Sequence, residues 1–258
     1  MLYEVKDLSF SYNRKQNVLN NLNLSINEGD LVCVLGKNGA GKTTLFNCLL
    51  GILNSYQGQI FLNSKDIKTL KEADIAKLVG YVPQSSNTSF AYTVLDYVLM
   101  GLASQIGLFS KPDNTHIQKA LKTLDFMGIL DYKDRLYMEL SGGEKQQVTI
   151  ARAIVGDPKI LFFDEPTAHL DYANQTKVLS IIKNLSQKGY AIIFSSHDPN
   201  QALMFDCDVA LFDSQGHIEK GKANDLITEE KLKKVYGSNL VITYVKELKR
   251  KICSYKTI

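Results

Sequence analysis

Three short stretches of this chain are apolar almost without a break: LVCVL (31–35), ILFF (160–163) and AIIFS (191–195). Such runs, without alternation, are expected of strands buried on both faces of a parallel sheet. Helical patterns lie between them. KTTLFNCLLG follows the first, and ANQTKVLSIIKNLSQKG separates the second from the third, an α/β layout with a crossover helix. The first thirty residues differ, because Leu22, Leu24 and Ile26 in LNLSIN alternate with polar positions, as strands with one wet face do. GQIFLNSKDI (58–67) reads as a further strand punctuated by Gly and Asn/Ser. VALFDSQGHIEKG (209–221) reads as a hairpin turning at Ser214–Gly216, and NLVITYV after Gly237 as one more strand. From about Ser86 to Ala153 the pattern is helical instead, in TVLDYVLMGLA, THIQKALKTLDFMGI and GEKQQVTIARAI. The expectation is one domain, 1–258: an α/β core from 1–85 and 154–258, and a helical subdomain over 86–153.

Composition narrows the classes. With 258 residues the chain can bury a sizeable core, and its apolar runs stop well short of the roughly 18–20 residues a membrane span needs. MLYEVKDLSF lacks a basic start followed by an apolar region, so no secretory signal is expected and a soluble, cytoplasmic protein is. A net charge of +3 leaves no broad basic surface, and no nucleic-acid partner is expected. Lys246, Lys249, Arg250, Lys251 and Lys256 gather at the C-terminal end, either as a solvated tail or as a contact for a membrane surface or partner. The four cysteines show no metal spacing; Cys33 and Cys48 sit in apolar surroundings, as buried thiols of a reducing compartment do.

The chemistry begins at GKNGAGKT, Gly36–Thr43, which fits G-x-x-x-x-G-K-[ST] with an apolar strand before it and a helix after. Gly36, Gly39 and Gly41 let the backbone bend its N–H groups around phosphates, with Lys37, Asn38, Ala40 and Thr44 in the same nucleotide-binding loop. Lys42 is placed to reach the β- and γ-phosphates and the Thr43 hydroxyl to ligate Mg²⁺. KILFFDEP ends an apolar strand in Asp164, a second Mg²⁺ ligand, and Glu165, a carboxylate able to polarise the water attacking the γ-phosphorus. SSHD puts His197 after the AIIFS strand as a hydrogen-bond donor to the γ-phosphate. Gln84 in YVPQ could touch both metal and water or be an ordinary loop residue; Tyr12 in SFSYN could stack an adenine or be an ordinary core or surface tyrosine. LSGGE (140–144) looks like a second phosphate cradle, with Ser141, Gly142 and Gly143 opening a helix whose positive end suits an anion.

Taken in order, GKNGAGKT, YVPQ, LSGGE, ILFFDEP, AHLD and SSHD make the chain resemble the nucleotide-binding subunit of an ATP-binding cassette (ABC) transporter, to about residue 237. The resemblance implies a P-loop NTPase (RecA-like) α/β core with an antiparallel β subdomain and an inserted α-helical subdomain. It implies hydrolysis of ATP with Mg²⁺ by two subunits packed head to tail. The LSGG of each would then close over the other's nucleotide, Ser141 and Gly143 contacting the γ-phosphate in trans and Asp171 lying at the dimer seam. That gives the second cradle its purpose. With one phosphate loop and one signature, the chain should form a homodimer. Two departures stand out: the fifth signature residue, usually Gln, is Glu144, and Ala168-His169 replaces the usual Ser-Ala before Leu170-Asp171.

TVLDYVLMG and the polar stretch before it resemble ATPases of importers for iron–siderophores, haem, cobalamin and related metal chelates. The resemblance implies partnership with an integral-membrane permease at the cytoplasmic face of the membrane and, indirectly, with an extracytoplasmic substrate-binding protein. Another kind of ABC transporter, a vitamin or metal-ion importer or an exporter, is the alternative. A non-transport ABC ATPase in DNA repair or translation is disfavoured, since no long coiled coil, zinc cysteines or second cassette is present.

Overall fold

The alternation in LNLSIN builds a strand with one buried face: Leu22, Leu24 and Ile26 are all buried in the computed structural model of the chain. The structure describes residues 1–13, 15–85, 90–106, 110–237 and 240–256. The chain divides into two units, Met1–Leu70 with Ala191–Ile258, and Lys71–Tyr190. In chain order, Met1–Leu70 contributes β1 (Tyr3–Phe10), β2 (Leu19–Ile26), β3 (Leu31–Leu35), α1 (Lys42–Leu49), β4 (Gln57–Leu62) and β5 (Lys65–Asp66). Lys71–Tyr190 contributes α2 (Glu72–Leu78), β6 (Val79–Val82), α3 (Val94–Leu99), α4 (Asn114–Phe126), α5 (Gly142–Ile154), β7 (Ile160–Phe163) and α6 (Tyr172–Gln187). Ala191–Ile258 adds β8 (Ala191–Ser196), α7 (Pro199–Phe205), β9 (Asp208–Phe212), β10 (Ile218–Lys222), α8 (Ala223–Leu226), α9 (Glu229–Tyr236), β11 (Leu240–Val245) and β12 (Arg250–Tyr255).

In the first unit β2, β1, β4 and β5 form an antiparallel sheet in that order. The stretch expected as a single strand over 58–67 is instead two. Asn63 and Ser64 take left-handed φ values of 50° and 63°, so the chain turns back between β4 and β5. Elsewhere in this unit β3 lies between β8 and β9, parallel to both, and β10 returns antiparallel along β9. As the unbroken apolar runs imply, every residue of β8 and all but Leu31 of β3 are buried. The β9–β10 hairpin turns where expected: Asp213 N–H donates to His217 O at 3.0 Å, and Gly216 supplies φ of 81°.

The basic C-terminal stretch is not a loose tail. β11 and β12 pair antiparallel, with Arg250 and Lys251 inside β12 and Lys251 Nζ donating to Asn224 O at 2.7 Å. The Asn200 side chain, on α7, grips β12 from both sides of its amide. Its Nδ2 donates to Cys253 O at 3.1 Å, and its Oδ1 accepts from Cys253 N–H at 2.8 Å.

The second unit holds the parallel pair β6–β7 and the helical segments expected over 86–153. α3, α4 and α5 enclose a core of Val94, Val98, Leu102, Leu124 and Val148, with Tyr97 stacked on Tyr137 (centroids 4.0 Å, interplanar 16°). Most of TVLDYVLMGL is therefore core, while Met100 stays 38% exposed. The polar residues 86–89 before it lie outside the described residues. Thr93, Asp113 and Ser141 start α3, α4 and α5 with capping boxes, each satisfying two backbone donors that the helix cannot. No helix among the described residues is long and apolar enough to cross a membrane.

Candidate functional site

The phosphate loop grows out of the end of β3. Gly36 N–H donates to Ser196 O at 3.2 Å, tying the loop to the end of β8, and a Cβ on Gly36 would meet Phe212 Cβ at 2.9 Å. Gly41, with φ of 105°, is the N-cap of α1 and offers no side chain to it, so the helix begins with N–H groups left for a ligand rather than a cap. Lys42 is buried at 4% exposure, and its Nζ donates to Gly36 O at 2.8 Å and Lys37 O at 3.1 Å. Two of the loop's own carbonyls thus hold a buried ammonium over the loop.

Beside the loop, a cleft of about 310 Å³ is lined by Tyr12, Gln16, Val18, Lys37, Ala40 and Gln215, among others. Tyr12 stands 64% exposed at this cleft, its ring edge-on to Phe10 (centroids 4.9 Å) and its hydroxyl 3.1 Å from Thr44 Oγ1. The wall formed by the β9–β10 turn was not foreseen in the sequence. The turn is pinned there by Asn20, whose N–H donates to Gly216 O at 2.8 Å. His197 follows β8 directly and is exposed, and its carbonyl accepts from Tyr236 Oη at 2.9 Å. A second cleft of about 310 Å³ runs from His197 and Asp198 to Tyr236 and Cys253.

In the second unit, Asp164 directly follows β7 and is buried at 2% exposure, with its N–H donating to Val82 O at 2.9 Å. Burial and the nearby Asp164 carboxylate push the Tyr81 hydroxyl up to about 12. Glu165 takes a left-handed φ of 44°, a conformation that costs an L-residue about 1–2 kcal/mol. Gln84 Nε2 lies 3.4 Å from Glu165 Oε2, so the structure brings together two residues singled out for the attacking water. His169, one of the two departures before Leu170-Asp171, is also left-handed (φ 63°).

Ser141 is the N-cap of α5. Its Oγ accepts from Glu144 N–H at 3.3 Å, and Glu144 Oε2 accepts from Ser141 N–H at 2.8 Å. Arg135 Nη1 donates to Glu144 Oε1 at 3.0 Å. The Ser141 bond first, then Arg135, hold the Glu144 carboxyl down at about 2. Asp171 caps α6, its Oδ1 accepting from Asn174 N–H at 2.8 Å and its Oδ2 from Asn174 Nδ2 at 2.9 Å; these bonds lower its pKa. Asn174 in turn lies against Gly143, where an added Cβ would run into its amide. Arg135 and Asn174 carried no periodic or motif signal. Asn174 could have been found as the third residue after a capping Asp, the position where a side chain reaches back to its N-cap.

Chemically, the first unit offers a phosphate loop, a buried lysine, a hydroxyl at Thr43 and an aromatic-walled cleft. The second offers a buried carboxylate, a strained carboxylate with an amide beside it, and a helix that opens on two glycines behind a capping serine. Residues 19–168 match the family model described as ABC transporter. The molybdate import ATP-binding protein MolC of Haemophilus influenzae is 37% identical over 88% of this chain and 85% of its own length. The probable iron chelatin transport ATP-binding protein of Helicobacter pylori (strain 26695) is 34% identical over 93% of this chain and 94% of its own. Among solved structures, a chain of an inward-facing ABC transporter described as of the metal-chelate type superposes with a TM-score of 0.86. It is 33% identical, and the match covers 99% of this chain and 98% of that one.

Proposed function

The chain belongs to the ABC transporter family, in which it is an ATPase, and from that premise we propose that it powers import of a metal chelate through a membrane-embedded permease. Iron–siderophore, haem, cobalamin or a similar complex is the cargo class. The observation that carries this reading is the end-to-end likeness to a transporter of the metal-chelate type, supported by the relative named for iron chelatin. The relative named for molybdate favours a metal oxyanion as the second reading.

In this reading Gly39 and Gly41 turn their N–H groups to the β- and γ-phosphates, and Lys42 exchanges its two carbonyls for phosphate oxygens. Tyr12 stacks the adenine. Thr43, Gln84 and Asp164 supply a hydroxyl, an amide oxygen and a carboxylate, the hard oxygen donors that suit Mg²⁺. When bound, the ion would neutralise charge on the phosphates. Glu165 accepts a proton from the attacking water while the Gln84 amide orients that water, and His197 donates to the γ-phosphate. Ser141 and Gly143 serve the nucleotide of a second copy, with Gly142 and Glu144 shaping the same turn and Asp171 at the seam. Two equal sites result. The chain works at the cytoplasmic face of the membrane, held there by the permease, and meets the extracytoplasmic binding protein only through it.

Affinity capture of the chain from detergent-solubilised membranes of its own cells, read by mass spectrometry, tests the reading. A polytopic permease at about equal amounts is expected. Uptake assays with that complex in vesicles should then show ATP-dependent transport of a chelated metal. Recovery of only soluble proteins, with the chain absent from membranes, overturns the transport role; transport of a free oxyanion but no chelate selects the second reading.

A further inference from the structure

Glu144 stands where the resemblance leads one to expect Gln, and the structure shows what the carboxylate does there. At the start of α5 two of the free N–H groups are already satisfied, that of Ser141 by Glu144 Oε2 and that of Glu144 by Ser141 Oγ. Among the described residues the N–H groups of Gly142 and Gly143 have no capping side chain, and these are the donors left for an anion. A carboxylate that closes the box therefore puts a full negative charge on the same helical turn that is to receive a phosphate. Like charges on one helical turn repel unless a nearby cation offsets one of them.

Arg135 is that cation. Its guanidinium pairs with Glu144 at 3.0 Å, the two side chains being 42% and 24% exposed. Its backbone is tied on both sides and its guanidinium rests on a ring. Its own N–H donates to Tyr132 O at 2.9 Å, its carbonyl accepts from Val94 N–H at 2.9 Å, and its guanidinium lies over the Tyr132 ring at 4.9 Å. Backbone bonds on both sides and an aromatic face thus present the charge to the signature turn.

We propose that Arg135 is a positioning residue for the nucleotide: it neutralises Glu144, so that the carboxylate can hold Ser141 in place without repelling the γ-phosphate that the turn receives. This rests on the two-subunit reading above. Arg135 acts through Glu144 and Ser141. The chain uses an ion pair where a neutral amide would need no compensation.

The test is a double-mutant cycle on purified transporter, reading KM for ATP and kcat separately for the native chain, Arg135→Gln, Glu144→Gln and the double variant. Arg135→Gln should raise KM about tenfold in the native background, about 1.4 kcal/mol, with kcat less affected. In the Glu144→Gln background the same substitution should move KM less than about twofold, since there is no charge left to compensate. Arg135→Lys, which keeps the charge, should stay near native. Arg135→Met keeps the aliphatic stem on Tyr132 and should behave like Arg135→Gln. Equal KM shifts in both backgrounds overturn the proposal and make Arg135 a packing residue. Gel filtration of the Glu165→Gln chain with ATP separates the two levels: no ATP-driven dimer removes the two-subunit reading and this inference with it, whereas intact dimers with equal shifts remove this inference alone.

Discussion

Gly143 has no room for a side chain, because the Asn174 amide fills the space its Cβ would need and is held there by its Nδ2 bond to Asp171 Oδ2. One glycine thereby links the signature turn to the cap of α6. Gly143→Ala should push the Asn174 amide off Asp171 Oδ2, cost roughly 1 kcal/mol as a lost side-chain hydrogen bond, and reduce ATP turnover by more than the stability change explains. Denaturant midpoints and steady-state rates measured on the same preparation check this; an unchanged midpoint sinks it. Glu165 poses a different question, since its left-handed backbone is a cost the chain carries at the residue expected to activate water. Glu165→Gln keeps the shape and removes the base, so nucleotide affinity should survive while turnover falls by roughly 10²–10⁴-fold, leaving an ATP-bound dimer. Full turnover in that variant would end the assignment.

Elements differ in how much of themselves they declare in the sequence. β3, β7 and β8 were legible as unbroken apolar runs, α1 and α6 as the helical patterns between them, and the β9–β10 turn from Ser214–Gly216. Gly36–Thr43 was legible because a motif fixes residue types at fixed spacings. β12 was not, since RKICSY mixes charges with apolar residues and its outer partner, the Asn200 amide that grips Cys253, lies 53 residues away. The break between β4 and β5 at Asn63–Ser64 was read as punctuation within one strand, because two polar residues in a row do not announce that both will adopt positive φ. Arg135 and Asn174 escaped for another reason: their roles exist only once the helices have caps. The Asn200 side chain bonds both backbone groups of Cys253, so Asn200→Ala should loosen the β11–β12 hairpin by about 1–3 kcal/mol. Hydrogen exchange at Cys253 and its strand neighbours reads the effect directly; exchange as slow as in the native chain would show that the hairpin holds without that amide.

For the whole molecule the decisive property is that one chain carries both a phosphate loop and a signature, yet each is proposed to serve a nucleotide shared with a second copy. Lys42→Ala mixed with Ser141→Arg should give mixed dimers in which one composite site is intact and the other doubly broken. Activity should return on mixing, to at most about half that of native dimers, where neither variant alone hydrolyses ATP. No recovery at any ratio, with mixed dimers verified, would count against the shared site. The order of elements also has a consequence in time. β3 must pair with β8 and β9, but the ribosome makes the whole of Lys71–Tyr190 in between. At ordinary synthesis rates the unpaired strand waits roughly 8–30 s for β8 to emerge, while the contiguous second unit is free to fold first. The apolar segment LVCVL is thus exposed to chaperones, and to sister chains on the same messenger, before its own sheet exists. Slowing translation just after Tyr190 should lengthen that wait and lower the soluble yield without changing a single residue of the finished protein.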